Sequence, residues 1–525
     1  MSSTVSEGLN KLILSLSKAE KRSFKLFAKR TTSNPEELKF LVLFDFLEKF
    51  PDASDEEIIK KNPQIKKVQL ANLKAHLYRQ LLTSIRLNSS NKILEFEVNE
   101  HIENAELLYM RGLYLQSLKL LEKAKFLAVK LDNSIQNLLI IEKIKFIESQ
   151  YVTRSIGARA DELSTESLEI EERVNGLVSL SNLSLQLYSL YLKVGFVRDE
   201  KDFMFVRDFF HSKLPDIDYK KLSFTEKFHL YSAYFRYYYI QQDFLMCFKY
   251  AQKTVDLFKE NEFQAEQNKE LFFKSIHNLI LVLFYLRNYK RMRATFDYFE
   301  QLKPSEKESE NIQLLHQQYK YTNLLNLLFL QGEYSRGLRC IDEITAFLDA
   351  AETKIDTHRI IVLYYKIGCL YFGTGDFKKA IHYLNQVLAL KNQSLREDIL
   401  SFAHILILIA HYELGNDMLV EYQLKSVYRY LSKIGDLQGV QREVLNYIRN
   451  VPKLLPSEVT KSFKQLLSRL KKLSESKFEQ RPFMYLDIIA WLESKIDKKS
   501  IEQIAREKFR QELTSGRKNY LPNGR

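Results

Sequence analysis

Apolar residues recur at three- and four-residue intervals along most of this chain, the spacing that lays one face of a helix against a core. Leu9, Leu12, Ile13 and Leu16 open the pattern. Ser17 and Glu20 have capping-box spacing and predict a helix carrying Phe24, Leu26 and Phe27. Asn34-Pro35-Glu36-Glu37 predicts the next start, with Asn as cap, Pro in the first turn and two carboxylates at the positive end of the helix dipole. Its apolar face is Leu38, Leu41, Phe44 and Leu47. Ser54 and Glu57 repeat the capping box before a short helix to Lys60. A long helix from about Lys66 to Arg86 follows, faced by Leu70, Leu73, Leu77, Leu81 and Ile85. Residues 1–97 are therefore expected to form a compact all-helical unit. One reading makes it a cap over the open end of a helical array. The other makes it a helix-turn-helix reader with Lys74, Arg79 and Arg86 facing a groove. The cap is preferred, because no glycine-containing turn of the usual length separates the two helices.

From residue 98 the pattern repeats, and Tyr364–Leu390 is its clearest copy, a helix, a tight turn and a second helix. Gly375 ends the first helix, where a residue without a Cβ takes the left-handed conformation at no steric cost, and Asp376 caps the second. Gly368 and Ala380 are small and allow the two helices to approach closely. With Tyr364, Ile367-Gly368, Tyr371, Gly375-Asp376-Phe377, Ala380 and Leu384, the stretch resembles the tetratricopeptide repeat. Asn392 stands where that family's terminal Pro belongs. Weaker copies follow Gly112, Gln242, Arg287, Gly332 and Gly415. The last four turns and Gly375 are 45, 45, 43 and 40 residues apart, longer than the family's usual period of 34. Between 132 and 227 the register fades, with Tyr151–Gly157 and Tyr191–Phe203 as candidate degenerate copies. The opening LSKAEKRSFKLFAKR (16–30) resembles that of a group of bacterial tetratricopeptide-like proteins. The expected fold is all-α, a right-handed α-solenoid of such hairpins over residues 98–439 behind the N-terminal cap. A helical segment (440–513) and a basic tail expected to be disordered (514–525) complete the chain.

Composition agrees with this picture. Among 525 residues there are only 15 Gly and 9 Pro, too few for the turns of an all-β protein. The net charge of +13 is unevenly placed: residues 1–97 carry +5, 98–451 are neutral and 452–525 carry +8. A neutral body argues against a long electropositive groove wrapping nucleic acid and leaves only the ends open to such a partner. Cys247, Cys340 and Cys369 are scattered within helical patterns and make neither a disulfide framework nor a zinc site. The N-terminal stretch lacks a basic leader, and no apolar run is long enough to span a membrane. A cytoplasmic protein is expected.

Neither nucleotide-loop, hydrolase, zinc-protease nor redox-cysteine motifs occur, so no enzyme, cofactor or metal is expected. Binding is the better question. The resemblance implies that the first helix of each hairpin lines a concave groove. In this register the groove holds His229, Arg236, Tyr239, Lys274, His277, Phe284, Tyr319, Asn323, Asn326, Tyr365, Phe372 and Tyr412. Gly368, Tyr371, Gly375 and Ala380 serve repeat packing. Some family members hold a C-terminal carboxylate with a Lys and Asn pair. Asn326 occupies the Asn place, but Thr322 stands where the Lys should be, so that clamp is not expected. A mixed aromatic and polar groove suits a peptide or a partner helix, which makes a protein-binding scaffold the leading expectation. The alternative is a regulator whose N-terminal unit contacts nucleic acid while the repeats sense a partner.

Overall fold

The computed structural model describes residues 2–31, 39–89, 93–150, 158–306, 308–351, 354–390, 397–434, 437, 439–475, 478–479, 483 and 487–514, and every regular element among them is helical. The chain divides into two units, 1–172 and 173–525, with the division falling inside one long helix.

The first unit opens with α1 (Ser2–Ser15), α2 (Lys18–Thr31), α3 (Lys39–Lys49), α4 (Asp55–Lys61) and α5 (Lys67–Ser89). Both predicted capping boxes form. The Glu20 carboxylate accepts from the Ser17 amide at 2.8 Å, and the Ser17 hydroxyl accepts from the Glu20 amide at 3.2 Å. Ser54 and Glu57 reciprocate in the same way at the start of α4. The proposed Asn34–Glu37 start and Leu38 lie outside the described residues. Leu9, Ile13, Phe24, Phe40, Phe44, Leu77 and Leu81 share one core, with the Phe24 and Phe44 rings 4.9 Å apart. Lys74 is buried on α5, its ammonium 2.6 Å from Asp55 on α4. α6 (Leu94–Tyr109) and α7 (Tyr114–Lys130) make a hairpin that turns at Gly112. The Ser117 hydroxyl donates to the Ala105 carbonyl at 2.7 Å, pinning the two helices where both side chains are small. α8 (Ser134–Gln150) follows a turn at Asp132, which has a positive φ of 58°. The candidate copy at Tyr151–Gly157 lies outside the described residues.

α9 (Arg159–Val194) enters the second unit, and α10 (Glu200–Lys213) follows. Five hairpins come next. They are α11 (Phe224–Ile240) with α12 (Phe244–Lys259), then, after short α13 (Glu262–Gln267), α14 (Lys269–Tyr285) with α15 (Tyr289–Gln301). α16 (Glu310–Gln331) pairs with a split second helix, α17 (Tyr334–Leu338) and α18 (Ile341–Ala351). α19 (Thr357–Thr374) pairs with α20 (Phe377–Ala389), and α21 (Glu397–Glu413) with α22 (Asp417–Lys433). The turns proposed from sequence for these five hairpins each carry a left-handed residue: Gln242 (φ 62°), Arg287 (52°), Gly332 (66°), Gly375 (86°) and Gly415 (71°). The following residue caps the next helix in three of them. Asp243 accepts from the Met246 amide, Asn288 from Arg291 and Asp376 from Lys379, at 3.1, 3.3 and 3.1 Å. Gln242 and Arg287 show that the left-handed turn, rather than glycine, is what recurs from hairpin to hairpin: a long side chain occupies that region at a cost of roughly 1–2 kcal/mol.

The chain then folds back. α23 (Gly439–Asn450), α24 (Pro456–Ser474), α25 (Ile488–Asp497) and α26 (Ile501–Thr514) complete the unit. Asn392, Asp436, Pro482 and Met484 lie outside the described residues, as does 515–525. Trp491 on α25 is fully buried, edge-on to Phe463 and donating its indole N–H to Glu413 of α21 at 2.7 Å. α26 lies along the turns of the second and third hairpins. Phe509 packs edge-on against Tyr289, Glu512 pairs with Arg287 at 2.9 Å, and Glu502 accepts from the Ser335 amide at 3.0 Å. Gly332 permits this approach, because a Cβ there would stand 2.6 Å from the Arg506 backbone nitrogen.

Candidate functional site

The first helices of successive hairpins present parallel stripes to one cavity of about 300 Å³. Lys274, His277, Asn278, Leu281 and Phe284 repeat at helical spacing on α14. Tyr319, Thr322, Asn326 and Phe329 do so on α16, and Arg359, Val362, Tyr365 and Lys366 on α19. Arg236 and Tyr239 reach in from α11 and Tyr188 from α9, while Phe483 and Asp487 contribute from the returning C-terminal segment.

The walls hold cations on aromatic faces and amides. Arg236 and Lys274 both lie over the Tyr188 ring, at 5.1 and 5.8 Å. Arg236 also donates to the Ser184 carbonyl at 2.6 Å and to its hydroxyl. Arg359 lies 5.7 Å from the Tyr319 ring centre and donates to Gln318 at 2.6 Å. His277 stacks on the same Tyr319 ring at 4.5 Å, and its Nδ1 is 2.8 Å from the Asn323 carbonyl oxygen. Lys366 approaches Phe329 at 5.4 Å and donates to Asn326 Oδ1 at 2.5 Å. Each such contact stabilises a cation by about 0.5–2 kcal/mol without neutralising it.

Titration behaviour follows from that crowding. Burial, reinforced by Arg236 and Arg359, pushes the Lys274 ammonium down to about 8. His277 falls to about 4, through burial first, with Arg359, Lys366 and Lys274 adding to the effect against the opposing Asn323 bond. Its imidazole is neutral at pH 7. Burial also disfavours the charge on Arg236, which stays protonated at neutral pH.

The helix contact inside the fourth hairpin, α19–α20, is close. Ala380 is fully buried, and a Cβ at Gly368 would stand 2.8 Å from the Leu384 side chain. Tyr371 stacks on Tyr383 at 5.5 Å, and Gly375 closes the turn. The tetratricopeptide-repeat family profile matches residues 361–394, which span this hairpin. Over these residues the chain is similar to a tetratricopeptide repeat. No curated protein and no solved structure matches the chain. The flanking hairpins share the repeat's turn geometry, and together they form an all-α array of tetratricopeptide-like hairpins.

Of the twelve groove residues proposed from sequence, Arg236, Tyr239, Lys274, His277, Phe284, Tyr319, Asn326 and Tyr365 line the cavity. Asn323 lies one layer behind and holds His277. Phe372 is fully buried inside the tetratricopeptide repeat, edge-on to Phe377. His229 and Tyr412 are not among the lining residues. Sequence reasoning missed Tyr188, Arg359 and Lys366. Arg359 and Lys366 were within reach, since they share the face of Tyr365 on α19. Tyr188 was not, because it comes from a helix outside any recognised copy.

Among the described residues no helix is long and apolar enough to cross a membrane, and no group of three or more His, Cys, Asp or Glu could hold a metal ion.

Proposed function

We propose that the chain is a non-enzymatic protein-binding scaffold whose inner helix face takes up a peptide or helix from a partner. The carrying observation is that one cavity draws aromatic and amide side chains from the first helices of four consecutive hairpins. A tetratricopeptide repeat within that array supports protein–protein interaction as its general use. Three free cysteines suit a reducing compartment, and we place the protein in the cytoplasm. The nucleic-acid alternative is disfavoured by Lys74, which is buried against Asp55 rather than presented to a groove.

The test is affinity capture from the native cell with full-length protein, run in parallel with Tyr319→Ala and Lys274→Glu. A specific partner should co-purify with the wild type and be lost from both variants. A partner retained by both would overturn the assignment of the cavity.

A further inference from the structure

The cavity gathers three cations that no described carboxylate pairs. Among the described residues, neither Arg236, Lys274 nor Arg359 has a carboxylate at ion-pair distance. Elsewhere in the same unit some cations are paired, as Lys269 is with Glu308, Arg287 with Glu512 and Lys495 with Glu413, whereas others, such as Lys253 and Lys259, rest on aromatic rings at the surface. The acid that lines the cavity, Asp487, is engaged, accepting from the Ala490 amide and pairing with Lys508. Asn326 is fully buried, with its Oδ1 taken by Lys366 and its Nδ2 donor unpartnered. Cations drawn out of water beside one another, next to an unused N–H donor, make a receptor for an oxyanion.

We propose that the cavity binds a phosphomonoester, its oxygens held by Arg236, Lys274 and Arg359 and by the Asn326 amide. This rests on the inner helix face being the binding face. Charge decides between anions. A carboxylate would neutralise only one of these cations, whereas a phosphomonoester carries about −1.5 to −2 at neutral pH and three acceptor oxygens. Guanidinium forks match that geometry. The volume of about 300 Å³ admits a small headgroup and lies at the lower end of small-molecule sites. The phosphoryl group has two possible sources, a phosphorylated side chain on a bound protein segment or a free small phosphomonoester.

The experiment is calorimetric titration of the full chain at low ionic strength and pH 7. The probes are phenyl phosphate, a phosphotyrosine peptide, its unphosphorylated parent and the same peptide with Glu in place of phosphotyrosine. Lys274→Met and Arg359→Gln are titrated alongside, each checked for native helicity. Saturable phenyl phosphate binding, weakened at least about tenfold in both variants, supports the proposal. A phosphopeptide that binds more tightly than phenyl phosphate assigns a protein-borne source, and equal affinity assigns a small molecule. Three results would overturn it: no saturable phosphate binding below about 1 mM, equal binding of the Glu peptide, or binding indifferent to both substitutions. If a native partner is captured and lost in Tyr319→Ala while phosphate fails to bind, only the phosphoryl inference falls and the scaffold reading stands.

Discussion

Lys274→Met should make the ligand-free protein more stable, the reverse of the usual effect of changing a partly buried side chain. In the folded chain the ammonium faces Arg236 from α11, Arg359 from α19, the neutral His277 on its own helix and the Tyr188 ring from α9. Its pKa drops from 10.5 to about 8. At about 1.36 kcal/mol per unit, the charged form is disfavoured by roughly 3 kcal/mol before relaxation and water entry reduce the figure. A methionine of similar length removes the charge and fills the same space, so a gain of about 1–3 kcal/mol is expected at pH 7. The sign of the pH dependence follows from proton binding. Between the folded value near 8 and the unfolded value near 10.5, the unfolded wild type holds a proton that the folded form has released, so wild-type stability rises across that window. The advantage of the variant should therefore be full below pH 8 and shrink by pH 10. Denaturant titrations at pH 7 and pH 10, followed through the single tryptophan, Trp491, and by helicity, measure both. A variant less stable at pH 7, or with the same advantage at both pH values, would refute the reasoning.

The remaining predictions probe the scaffold. Ala380→Phe should overpack the α19–α20 contact and lower stability by about 1–3 kcal/mol, with increased hydrogen exchange in the neighbouring hairpins as well as its own; unchanged exchange there would mean the hairpins are not coupled. Gly332→Val places a branched side chain at φ 66° and a Cβ 2.6 Å from the Arg506 backbone, so α26 should undock and residues 501–514 should become sensitive to limited proteolysis. Glu413→Ala strands the buried Trp491 N–H and removes the partner of Lys495, costing about 3 kcal/mol and shifting tryptophan fluorescence to the red; an unshifted spectrum would show that the indole has found another acceptor.

The helical class, the hairpin turns and the capped helix starts were legible in the sequence because each depends on a few neighbouring residues. Gly375 and Asp376 carry their turn within two positions, and Ser54 with Glu57 closes a capping box within four. Those signals survive even where glycine is replaced, as at Gln242 and Arg287, since the aligned position still takes the left-handed backbone. Eight of the residues proposed for a groove line the cavity for the same reason, because a turn fixes which helix face points inward. The convergence of charge was not. Arg236 stands six residues before its turn, Lys274 thirteen, Lys366 nine and Arg359 sixteen. No common register unites them, and over residues 98–451 the chain is formally neutral. Only the stacking of successive helices brings these four cations around one cavity, whose lining acid, Asp487, is engaged by Lys508. The same holds for Tyr188 and for the return of α26 onto the hairpin turns, contacts between segments more than a hundred residues apart in the second case. Local backbone preference is written in adjacent residues; which charges end up sharing a cavity is settled by packing between distant ones.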